Sequence, residues 1–156
     1  MKFPFFFLLI NMMAACNNSN DNVGKYGGPE TPDSSTTLAA DLTGCYRKVL
    51  QRDTVLLQLQ QTGDSVSGAM HFDNYQKDSS KGTIKGSVKK DTVIVWYDFF
   101  SEGMHSVMEI VLLKTENGLV RAAGPMETKG DSALFQNHRQ LEFDPQQTLR
   151  RIDCGN

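Results

Sequence analysis

Few side chains in this chain of 156 residues could do chemistry, and their spacing argues against several kinds of it. His71, His105 and His138 lie far apart, without the close His, Cys, Asp or Glu pairs typical of zinc sites, so no metal is expected. The chain has no Gly-x-Ser-x-Gly elbow, no phosphate-cradling loop and no dinucleotide fingerprint. No catalytic residue and no cofactor follows from that, and the expectation is a non-enzymatic protein. What stands out is recognition chemistry. Trp96, Tyr97 and Phe99 crowd one short stretch, which then turns sharply through Glu102 to His105. Large apolar rings beside a charged loop suit the edge of a binding surface. The plain alternative is a turn device, with Ser101 and Glu102 accepting backbone N–H groups and Gly103 in a left-handed conformation. With 16 Lys and Arg against 18 Asp and Glu, the net charge of −2 supplies no basic field for a phosphate backbone, and nucleic acid is not an expected partner.

The elements that must position these residues follow a period of two. Val55, Leu57 and Leu59 alternate with Gln58 and Gln60, and Val66, Gly68, Met70 and Phe72 alternate with Ser65, Ser67, Ala69 and His71. Thr62-Gly63-Asp64 joins the two segments as a hairpin turn. Similar runs cover residues 42–50, 83–88, 92–100, 105–114, 119–123 and 134–143, separated by turn signals such as Lys89-Lys90-Asp91 and Glu116-Asn117-Gly118. Eight short strands without a helical period predict an all-β fold, an antiparallel up-and-down meander closed into a small lipocalin-like barrel. Closure removes the unpaired edges of an open sheet, and about eight strands enclose room for side chains or one small ligand. Gly68 and Gly86 fall on apolar faces, where a missing side chain permits a bend or faces a ligand. Arg121 and Arg139 lie in apolar-patterned segments, where they either close the barrel floor by stacking on aromatics such as Trp96 or point outward. A short helical turn is expected over residues 144–149.

The N-terminus carries an address. Met1-Lys2, the apolar run from Phe3 to Ile10 and the small residues Ala14 and Ala15 before Cys16 resemble a bacterial lipoprotein signal. The apolar run falls short of the roughly 20 residues that a membrane span needs. The resemblance implies removal of residues 1–15, diacylglycerol on the thiol of Cys16, and anchoring to the membrane through acyl chains alone. Residues 16–40, rich in Asn, Ser, Gly and Pro, read as a lipidated flexible tether reaching roughly 25 Å, and residues 41–156 as the barrel domain. Localisation is then the cell envelope, lipid-anchored, with the outer membrane favoured over the inner. With Cys16 carrying lipid, Cys45 and Cys154 remain as an even pair in an oxidising compartment, which predicts a disulfide between the first strand and the tail; two buried free thiols are the alternative.

Tyr97-x-Phe99-x-Ser101-Glu102-Gly103-x-x-Ser106, with an opening Gly44-Cys45-Tyr46 and a cysteine near the C-terminus, resembles a family of small uncharacterised bacterial lipoproteins. The resemblance spans most of residues 42–154 and implies no particular activity. The Gly-x-Tyr opening is also similar to the Gly-x-Trp of lipocalins, with Tyr in place of Trp, and bears on shape rather than ligand. Two functions fit. One is a barrel that binds a small apolar or amphipathic ligand in a cavity lined by Val95, Tyr97, Met70 and Phe72. The other is an interaction module that inhibits or scaffolds an envelope protein, with a packed interior and an exposed patch near Phe100 to His105. A metal carrier or an envelope hydrolase is held in reserve.

Overall fold

The computed structural model describes residues 41–155; the expected signal segment and tether, and Cys16 as the expected lipid-attachment residue, lie outside the described residues. Ten strands follow in order: β1 Gly44–Leu50, β2 Asp53–Thr62, β3 Ser65–Asp73, β4 Ser80–Lys89, β5 Thr92–Ser101, β6 Met104–Thr115, β7 Gly118–Arg121, β8 Met126–Lys129, β9 Ser132–Phe135 and β10 Thr148–Ile152. β1 to β7 pair in sequence order, β10 pairs with both β7 and β1, and β5 also pairs with β6. Eight strands therefore close on themselves, each antiparallel to its neighbours. The fold is a small lipocalin-like barrel, and closure leaves no free edge in its wall. β8 and β9 form a side hairpin, with β9 running parallel to β6 at Val107 and Met108.

Alternation places the core. Tyr46, Leu57, Leu59, Val66, Met70, Ile84, Val93, Val95, Tyr97, Leu112, Leu119 and Leu149 all turn inward into one buried cluster. Burying each such side chain favours folding by about 1.5–3 kcal/mol, the main force that holds eight short strands together. The Tyr46 hydroxyl, inside this apolar volume, donates to the Leu42 carbonyl at 2.8 Å. Gly68 and Gly86 interrupt the inward rows of β3 and β4. A Cβ on Gly68 would lie 1.8 Å from the Gln58 carbonyl oxygen, and one on Gly86 would lie 1.9 Å from that of Ile94. Both glycines therefore admit a neighbouring backbone, which matches the bend rather than a ligand-facing role.

The C-terminal third departs from the sequence pattern. Residues 134–143 were expected to supply the eighth strand, but after β9 they hold a 3-10 turn at His138–Gln140 and a single bridge between Ala123 and Glu142. The barrel is closed instead by Thr148–Ile152, which overlaps the expected helical turn. Pro145–Gln147 does form one 3-10 turn, capped by the Asp144 carboxylate accepting from the Gln146 N–H at 2.9 Å, but the chain then extends. Leu149 is the only fully buried residue of β10, so the segment is too short to display a readable period. Cys154 follows this strand and is joined to Cys45 of β1 by a disulfide with Cα atoms 5.2 Å apart.

Candidate functional site

β5 and β6 build the aromatic edge, and strand geometry sorts it into two faces. Odd-numbered residues of β5 point inward. Val95 and Tyr97 are 0% exposed, and Met70 and Phe72 across the barrel are 1% and 9% exposed. The Tyr97 ring stacks on Phe99 with centroids 4.5 Å apart and meets Phe72 edge-on at 5.5 Å. Its hydroxyl bonds the Ser80 Oγ at 3.1 Å, and burial pushes its pKa up. The four residues expected to line a ligand cavity are thus packed in the core cluster. Tyr97 belongs to the core and the half-buried Phe99 packs against it, both on the inward row set by the two-residue repeat of the strand.

Even-numbered residues of β5 point outward. Trp96 is 44% exposed and Phe100 64%, and Met104 at the start of β6 is 68% exposed. A two-residue turn joins the strands, with Ser101 opposite Met104. Glu102 and Gly103 occupy it with φ of 51° and 79°, so both are left-handed. Gly103 conforms to expectation. Among the described residues, however, the side chains of Ser101 and Glu102 make none of the hydrogen bonds, so the tightness of the turn comes from the backbone rather than from side-chain capping.

His105, opposite Phe100, is gripped from both sides. Its Nε2 lies 3.0 Å from Asp98 Oδ1 of β5, and its Nδ1 lies 3.0 Å from Asp131 Oδ2 in the turn between β8 and β9. The Asp98 carboxylate, followed by Asp131, holds the imidazole pKa above its ordinary value. Asp131 is held low, first by the Ser132 hydroxyl and then by His105. Three elements meet at this one ring. The sequence singles out His105 without either aspartate: Asp98, seven residues earlier, reaches it only through the hairpin register, and Asp131, 26 residues later, through the side hairpin.

A second polar pair lies beneath that hairpin. Glu109 points outward from β6 yet is 5% exposed, covered by β9. Its carboxylate accepts the Phe135 N–H at 2.9 Å and meets His138 Nε2 at 2.8 Å. A lone Glu inside the apolar run from Val107 to Leu113 was the signal for it. The two arginines part company. Arg121 turns inward and places its guanidinium 5.3 Å over the Phe72 ring, not over Trp96. Arg139 sits exposed in the 3-10 turn and takes no part in the barrel floor. His71 lies on the outer row of β3, opposite Leu56 and Lys81. Among the described residues, no three His, Cys, Asp or Glu side chains gather as a metal site.

No protein-family model, curated protein or solved structure matches this chain.

Proposed function

We propose that the chain is an envelope lipoprotein, moored through acylated Cys16, whose barrel docks a protein partner on the outer face of the β5–β6 hairpin. The division of β5 carries this reading. Its inward rings pack in the core, while Trp96, Phe100 and Met104 stay exposed on the outer face, with Phe100 tilted against the His105 ring at 5.4 Å. Exposed aromatic and methionine side chains around a rigid hairpin supply anchors for a complementary apolar surface. The bonds between His105 and its two aspartates brace the hairpin beside its turn, which lowers the ordering cost of docking. The packing of Val95, Tyr97, Met70 and Phe72 into the core favours this function over a ligand chamber lined by those residues. The lipid anchor rests on the signal-like segment 1–15 and the small residues before Cys16.

Crosslinking and capture from envelope extract tests the reading. The wild-type chain should retain a defined protein that a Phe100→Asp, Met104→Asp variant loses, with Glu102→Ala and His105→Ala weakening it. Identical captured proteins for all variants would overturn the docking face. Labelled palmitate should enter the wild type and not Cys16→Ser.

A further inference from the structure

Positive charge gathers on the outside of the seam where the barrel closes. β1 and β10 meet there in antiparallel register, with Arg47 directly opposite Arg150. Arg47 follows the buried Tyr46 and Arg150 the buried Leu149, so both arginines leave the outer face of the wall, and both are exposed. Like charges directly opposite on one face of a strand pair repel and weaken the pairing. Here they sit in the pairing that joins the first strand to the last, on which closure of the ring depends. Among the described residues, neither arginine takes part in an ion pair.

The space over the pair is a groove of about 510 Å³, within the ~300–1,000 Å³ of small-molecule sites. Lys48, Arg151, Val49 and Pro145 also line it, and no carboxylate does. Lys48 donates to the side-chain oxygen of Gln147 and Arg151 to the Thr43 carbonyl, so these two cations are already engaged. The acids that flank the two strands, Asp53, Asp144 and Asp153, are not among the lining residues; Asp53 accepts the Tyr75 N–H at 2.8 Å and Asp144 the Gln146 N–H at 2.9 Å. What the groove offers is a facing pair of guanidinium groups beside the exposed, apolar Val49. A dianion that reaches both would replace their repulsion with a bridge. A phosphomonoester carries about −1.5 to −2 charges near neutral pH and three strong acceptor oxygens, enough to meet a guanidinium fork on each side. A carboxylate has one charge and matches one fork. We propose that Arg47 and Arg150 clamp the phosphoryl group of a phosphomonoester at the seam, with its organic part resting on Val49 and Pro145. A soluble phosphate ester and a lipid headgroup both present this chemistry, and the experiment separates them. The site lies on other strands than the docking hairpin and stands without it.

Calorimetric titration of the chain from residue 16, carrying Cys16→Ser, with phenyl phosphate as the probe tests the clamp. Phenyl phosphate should bind saturably and raise the melting temperature, while acetate and dimethyl phosphate, each with a single charge, should bind at least ten-fold more weakly. Arg47→Gln and Arg150→Gln should each lower the affinity ten-fold or more. Free of ligand, each variant should melt no lower than the wild type, because one of two facing charges is gone. Vesicles of phosphatidylcholine containing phosphatidic acid separate the two sources. Retention beyond that on phosphatidylglycerol vesicles of equal charge assigns the clamp to a lipid headgroup, and phenyl phosphate binding without such retention assigns it to a soluble ester. Failure of both phenyl phosphate and phosphatidic acid vesicles to bind would overturn the site, as would equal binding by the wild type and either variant, or binding of acetate as tight as that of phenyl phosphate. So would a lowered melting temperature in both ligand-free variants, which would show that the arginines are already matched within the fold.

Discussion

His105 stands between two carboxylates, and only its protonated ring can donate to both at once. Its folded pKa lies above the ordinary value of 6.5, so the stabilisation is complete below that value and is lost as pH rises through the raised one. Asp131 behaves in the opposite sense. Its pKa is lowered from 3.8, so its contribution is present above that value and is lost as pH falls through the lowered one. The hairpin of β8 and β9 should therefore be held best between about pH 4 and 6.5. Amide exchange in residues 126–135, corrected for intrinsic rate, should be slowest there and faster at pH 8.5. His105→Ala should flatten the profile. A wild-type hairpin whose protection does not change across this range would show that the ring is not a clamp.

Among the elements, β4 and β5 approach closely where a side chain is missing. Gly86 faces Val95 in register, and a Cβ there would come 2.7 Å from the Val95 Cα as well as onto the Ile94 oxygen. Gly86→Ala should destabilise the barrel by about 1–3 kcal/mol, measured by urea unfolding, because the strands must move apart to admit a methyl group. A neutral result would mean that the close approach is not needed. The alternation that identifies β2, β3 and β4 is legible because each presents several successive inward side chains, whereas β5 reads only as an apolar and aromatic run. β10 buries one Leu and is read as tail, and β9 pairs only two of its residues with β6, so neither announces itself.

Across the whole molecule, the disulfide joins the start of the barrel to its end. Cys45 and Cys154 are separated by 109 residues, and Ile152 of β10 is paired with Cys45 of β1. The bond therefore holds closed the junction where the first and last strands meet. Closing a loop of that size removes unfolded-state entropy equivalent to roughly 4–5 kcal/mol in the chain-entropy account. The double variant Cys45→Ser, Cys154→Ser should lose stability of that order in chemical denaturation, with β10 the first strand to exchange. Non-reducing peptide mass spectrometry of the protein should recover the Cys45–Cys154 pair. A double variant as stable as the wild type would remove the bond from the list of forces that close the barrel.

The sequence alone determined that the domain is built from short antiparallel strands, which faces of β2 and β3 are buried, where the hairpin turns fall, and that Cys45 and Cys154 are placed to pair. These are local or parity properties: period two needs only neighbouring residues, and with Cys16 expected to carry lipid the other two thiols admit one pairing. Tertiary structure decided that β10 closes the ring, that Tyr97 and Phe99 turn inward while Trp96 and Phe100 face water, and that Arg121 lies over Phe72. It also placed Asp98 and Asp131 on either side of His105 and set Glu109 beneath a hairpin. Each of those depends on strand register and on which segment fills the gap left by the short β7. Such contacts join residues far apart along the chain, and no local period encodes them.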